Sequence, residues 1–125
     1  MKPVIVYKAV EGRRPWYRSH YMKRGTKACK SYRIGKVTRA DLGGLLCHLT
    51  AEAAQREGPD LTILRCEATE RVELSPHKFC GSSDFWNMKA AWENTLPFHL
   101  QSDWPLGTVA YKEVKPLEVV TSETL

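Results

Sequence analysis

Residues 1–40 hold twelve lysines and arginines against a single carboxylate, Glu11, a net charge of +11 on about a third of the chain. The other 85 residues carry seven cations and thirteen carboxylates, and the two parts balance at +5. Like charge at this density repels itself and resists compaction unless something compensates it. Two compensations are open. The cations pair with carboxylates of the acidic remainder, such as Glu67, Glu70 and Glu73, or several of them converge on a polyanion. Trp16, Tyr17, Tyr21 and Tyr32 lie between the cations, and interleaved cations and planar rings suit a base and its phosphates. Arginine favours the second reading further, because its planar fork grips a phosphate through two donors.

A chain of 125 residues, 42% hydrophobic and 26% charged, is expected to form one domain over 1–125 around a modest core, and it is too apolar for wholesale disorder. The apolar run near Met1 is too short for a signal peptide. Nothing approaches the roughly 18 apolar residues of a membrane span, so a cytoplasmic location without a membrane partner is expected. Cys29, Cys47, Cys66 and Cys80 contain no closely spaced pair. A zinc site normally takes two ligands from one tight turn, so no metal and no other cofactor is expected, and the cysteines read as buried free thiols.

Local patterns give the elements. Val4–Val10 is rich in β-branched residues and reads as a strand ending at Glu11-Gly12. Pro15, Gly25 and the absence of a period suggest a long ordered loop over 13–30, followed by a short strand at Ser31–Ile34. Thr38 and Asp41 have the spacing of an acidic capping box, with Val37 and Leu42 as its staple. Leu42, Leu45, Leu46, Leu49 and Ala53 continue at helical spacing, whereas Gly43-Gly44 opposes a helix. Residues 41–57 are therefore either one helix, or a buried strand over 44–49 and a short helix capped by Thr50. Leu61–Ala68 alternates as a strand, extending through Val72 and Leu74. Ser82-Ser83-Asp84 offers caps for a helix over about 85–94 with Phe85, Met88 and Trp92 on its core stripe, and Val109–Val120 suggests two strands broken by Pro116. The sum is an α+β domain, a mixed or antiparallel sheet with two helices.

Three segments are candidate anion sites. Arg13-Arg14-Pro15-Trp16-Tyr17-Arg18 combines cations with a ring. Lys23-Arg24-Gly25-Thr26-Lys27 resembles a phosphate cradle, with glycine for close approach and the Thr26 hydroxyl as a further donor, but it lacks the Walker pattern. Lys78–Ser83 places Ser82 and Ser83 where a helix begins, and exposed amides there suit an anion; Asn87 or Asn94, on the polar stripe of the same helix, is a candidate to read a base edge. Each has a structural counterpart: Trp16 tucked into the core, serines that only cap, a solvated polar face. Scattered histidines, no Gly-x-Ser-x-Gly elbow and no close acid/base pair speak for binding over catalysis.

Val6-Tyr7-Lys8-Ala9, Tyr32-x-x-Gly35-Lys36, Gly44–Cys47 before Ala51–Ala54, Leu64–Ala68 and Tyr111–Val114 together resemble small phage-encoded proteins, and among them the Thoeris anti-defence sponges. Those proteins sequester cyclic ADP-ribose-type immune signals without destroying them. The likeness spans most of the chain on loose spacing. It implies a homo-oligomer whose pockets stack adenine on a ring and clamp the diphosphate with arginines, some members also holding cyclic oligonucleotides. It would make Arg24 a phosphate contact and Phe79 or Phe85 the stacking ring. The expectation from both lines is a phosphate-bearing, base-containing ligand bound without turnover: a nucleotide-derived signal, or alternatively nucleic acid on the basic segment.

Overall fold

The computed structural model describes residues 2–14, 16–19, 30–41, 43–75, 78–79 and 85–120, with the backbone alone at 78–79 and 85–88. Among the described residues about half are strand and 13% are helix, and the strands close into a barrel. This corrects the expected α+β class. The strands are β1 (Val4–Arg13), β2 (Trp16–Ser19), β3 (Ser31–Tyr32), β4 (Thr38–Arg39), β5 (Leu45–His48), β6 (Thr62–Val72), β7 (Lys78–Phe79), β8 (Gln101–Ser102) and β9 (Thr108–Val119). The helices are α1 (Ala51–Gln55) and α2 (Phe85–Trp92), with a 3-10 turn at Phe98–Leu100. β7 and β8 form a separate antiparallel pair.

Closure follows from the long strands. β6 pairs antiparallel with β1 along Val4–Val10 on one side and with β9 along its length on the other. The free flank of β1 takes β5 at Tyr7↔His48 and β2 at Val10–Arg13. The free flank of β9 takes β5 at Thr108–Tyr111 and β4 at Glu113–Val114. β5 thus closes one end of the barrel. At the other end β2 pairs with β3, and the Thr38 hydroxyl donates to the Ser31 carbonyl at 2.7 Å while the Gly35 amide donates to Pro116 at 2.8 Å. Alternation sends Val6, Val10, Tyr17, Tyr32, Leu64, Cys66, Cys47 and Val114 inward as one core. Outside the wall, α1 lays Ala54 on Ala9 and Ile63.

The β1 and β6 strands lie where they are expected, with β1 running on to Arg13, and of the two faces of β6 the one with Leu64, Cys66 and Ala68 turns inward. The alternative for residues 41–57 is the structure: β5, then α1 with the Thr50 hydroxyl accepting from Ala53 N at 3.1 Å. Thr38 caps no helix; it lies in β4, opposite Val114. Residues 16–19 of the supposed loop are strand. Pro116 does not divide β9, because Leu117 is passed over in the pairing between Cys66↔Pro116 and Arg65↔Glu118, and a bulge absorbs the missing amide donor. The expected caps at Ser82–Asp84 lie outside the described residues, as do the side chains of Phe85 and Met88. Among the described residues no helix is long and apolar enough to cross a membrane.

Gly43 and Gly44, which opposed a helix, are positions of close approach. A Cβ on Gly43 would fall 2.2 Å from the Trp92 ring of α2, and its φ is +61°. A Cβ on Gly44 would meet Val72 at 2.5 Å. Gly43→Ala therefore combines left-handed strain with overpacking, roughly 2–5 kcal/mol together. Urea denaturation should show a loss in that range, and a loss below about 0.5 kcal/mol would show that Trp92 does not seat on Gly43.

Candidate functional site

The end of the barrel where β1 turns into β2 presents the sequence's cation–aromatic motif to solvent. Inward alternation consumes Tyr17 and Tyr32, so their neighbours Trp16 and Arg33 point outward. Arg13 is the cross-strand partner of Trp16, and directly opposite residues share a face. On the other side of Trp16, beyond the Tyr17↔Tyr32 pair, the Arg33 guanidinium lies 5.2 Å from the Trp16 ring centroid. The three side chains form one row, Arg13–Trp16–Arg33, across three adjacent chain segments. Trp16 is 65% exposed, unusual for so large an apolar surface. Gly12, φ +97°, permits this hairpin end, because a Cβ there would lie 2.4 Å from the Trp16 carbonyl oxygen.

Arg14 is exposed in the connection beside Arg13. Lys36 is exposed one turn beyond Arg33, its amide donating to the Arg33 carbonyl at 3.0 Å. Three other described cations of the basic run are neutralised within the protein. Arg18 sits 2.9 Å from Glu11, which faces it in the next row. Lys30 pairs with Asp41, and Arg39 with Glu113. The Arg39 guanidinium holds the Glu113 carboxyl below its ordinary range. Arg13, Arg14, Arg33 and Lys36 have no carboxylate partner among the described residues.

Of the candidates read from the sequence, Arg13, Arg14 and Trp16 therefore come together, and Arg18 adjoins them in an ion pair. Lys23, Arg24, Thr26, Ser82 and Ser83 lie outside the described residues. Phe79, Phe85 and Asn87 are placed by backbone only, Phe79 in β7 and the other two in α2. Arg33 was missed as a site residue; strict alternation from a buried Tyr32 would have found it. The carboxylates that pair with described cations of the basic run are Glu11, Asp41 and Glu113; Glu70 adds attraction at Arg39, while Glu67 lies 3.9 Å from Lys115.

A second polar group lies inside the barrel. Alternation puts Lys8 on the core face with Val6 and Val10, and it is buried. Its Nζ donates to the Leu46 carbonyl at 2.5 Å and stands 5.1 Å from the Tyr32 ring centroid. The Tyr32 hydroxyl, also buried, has no hydrogen-bond partner among the described residues. Burial works against the Lys8 ammonium, but the Tyr32 oxygen and the Cys47 and Cys66 sulfurs outweigh it, and Lys8 is displaced upward. Burial pushes Tyr32 up against the pull of Lys8. It also pushes Cys47 from 9.0 up to about 11, and Cys66 is likewise pushed up by burial and by Cys47 beside it. At neutral pH the interior therefore holds one ammonium among neutral groups. The buried His48–Glu57 contact, 3.0 Å, ties β5 to the residues after α1.

A groove of about 550 Å³ lies beside α1, lined by Gln55, Leu61, Ile63, Val119 and Val120 among others, with no cation in its wall. It is not a phosphate site. Among the described residues no three of His, Cys, Asp and Glu gather as metal ligands.

The interior groups share one consequence. An unfolded chain releases the Cys47 proton near pH 9 while the folded chain keeps it to about 11, so rising pH favours unfolding across that window. Stability present below pH 9 should fall by roughly 3 kcal/mol from Cys47 alone. Tyr32 and Lys8, both raised, act in the same direction at higher pH. Urea denaturation between pH 8 and 11 should show this loss, reduced in Cys47→Ala. Equal pH profiles for the two proteins would refute it.

No family model matches the chain, and neither a curated protein nor a solved structure matches it.

Proposed function

We propose that this protein binds a phosphate-bearing, base-containing ligand at the Arg13–Trp16–Arg33 row and does not turn it over. The observation that carries the reading is the indole 65% exposed with an arginine on each side. Burying such a ring on a base releases water from a large apolar surface, and guanidinium forks supply directional charge for phosphate. Base stacking on an aromatic side chain contributes about 1–3 kcal/mol, and does so for any base. The free cations Arg14 and Lys36 add attraction at longer range, screened beyond roughly 8 Å at physiological salt.

The ligand takes one of two forms. Resemblance to the Thoeris anti-defence sponges suggests a cyclic ADP-ribose-type or cyclic nucleotide signal, held by a homo-oligomer in the host cytoplasm. The basic segment itself suggests nucleic acid. Both call on the same exposed ring.

Calorimetric titration with a cyclic ADP-ribose isomer and with a short oligonucleotide, in wild type and Trp16→Ala, tests the shared claim. At least one ligand should bind, be recovered intact after heat denaturation of the protein, and lose about 1–3 kcal/mol of affinity in Trp16→Ala. Absence of binding by both ligands, or binding indifferent to Trp16, refutes it.

A further inference from the structure

We infer that the ligand at this row is an unpaired stretch of nucleic acid, with an interior nucleotide seated on Trp16, and not a compact diphosphate; the inference rests on the binding function proposed above. The spacing of the cations carries it. Arg13 and Arg33 lie one strand to either side of Trp16, so their backbones are separated by two strand spacings, about 10 Å. They flank the ring. An interior nucleotide of a strand likewise has a phosphate on each side of its base. In a diphosphate the two phosphorus atoms share one bridging oxygen, and clamping it requires cations that converge on a single point.

The remaining charges stand at the same end. Arg14 is exposed in the turn that joins Arg13 to Trp16, and Lys36 follows one turn after Arg33. Among the described residues, the four cations thus share the rim around Trp16. The next row inward is Glu11 with Arg18, already neutral as a pair at 2.9 Å, and its carboxylate discourages a phosphate from crossing onto the barrel wall. The path is confined to the rim.

Trp16 also selects against duplex. Stacking needs an unpaired base with its face bare, whereas paired bases present only their edges in the grooves. Arg33 already covers one face of the indole through a cation–π contact. The incoming base takes the opposite face, or displaces Arg33 toward the adjacent phosphate.

Fluorescence anisotropy with a labelled twelve-nucleotide oligothymidylate, competed by the same sequence in duplex form, by thymidine monophosphate and by ADP-ribose, tests this. The oligothymidylate should bind with a log–log salt slope near −3, the value for about four neutralised phosphates on a single strand. Trp16→Ala should weaken it about 5- to 150-fold without changing the slope. Arg33→Gln should reduce the slope by about 0.7. Duplex and monophosphate should compete at least tenfold less well. Both substituted positions are exposed, and thermal melting should show both variants folded. If ADP-ribose or a cyclic isomer binds in a Trp16-dependent way while the oligonucleotide does not, this inference falls and the proposed function stands. If none binds, both fall. Equal affinity for duplex and single strand also overturns the inference.

Discussion

The barrel is organised around a charge at its centre. An ammonium removed from water costs several kcal/mol unless its surroundings replace the lost hydration. Among the described residues, Lys8 finds that replacement in the Leu46 carbonyl and the Tyr32 ring. The first belongs to β5, which closes one end of the barrel, and the second to β3, which helps close the other. A partly assembled barrel would leave the charge bare in an apolar interior. Lys8 therefore links the two closures, and it sets β1 with its even-numbered residues inward, since a shift by one would bury Tyr7 in its place.

The described cations from Lys8 to Arg39 are handled in three ways, and the sheet register decides which. One cation is enclosed. Three are matched to carboxylates, with Glu11 opposite Arg18 and Arg39 opposite Glu113 across neighbouring strands. Exposed pairs of this kind contribute little stability, but they cancel field locally. Arg13, Arg14, Arg33 and Lys36, without a carboxylate partner among the described residues, are left at one end. A charge run that looked uniform in sequence becomes a localised patch because the internal pairs remove its competitors.

The sequence revealed strands with strong local patterns and concealed what depended on distant partners. The alternation of Leu64, Cys66 and Ala68 was legible, as was the β-branched run Val4–Val10, and Thr50 as a cap stood in one of the two alternatives for 41–57. Thr38 was misread because a threonine three residues before an acid looks the same whether it caps a helix or bonds across a turn to Ser31. Pro116 was read as a break because the bulge that accommodates it is visible only once β6 is alongside. Barrel closure itself has no local signature; it rests on β1 meeting β6 and β5 meeting both β1 and β9. The Trp16 cluster was legible as chemistry. Its partner Arg33 was not singled out, because the register of β3 on β2 places it there.

The order in which the strands occur has a consequence for biosynthesis. β9, the ninth strand in chain order, is the mate of β4, β5 and β6. A nascent chain emerging from the ribosome can form the β1–β2–β3 meander early, but the wall stays open until residues 108–119 have been translated and have left the exit tunnel. Until then the inward faces of β1 and β6 remain uncovered, and long-range pairing of this type is slow to form. The exposed cations Arg13, Arg14, Arg33 and Lys36, all translated before β6, would keep such a half-built wall dispersed, so the same patch also acts as a solubiliser during the making of the molecule.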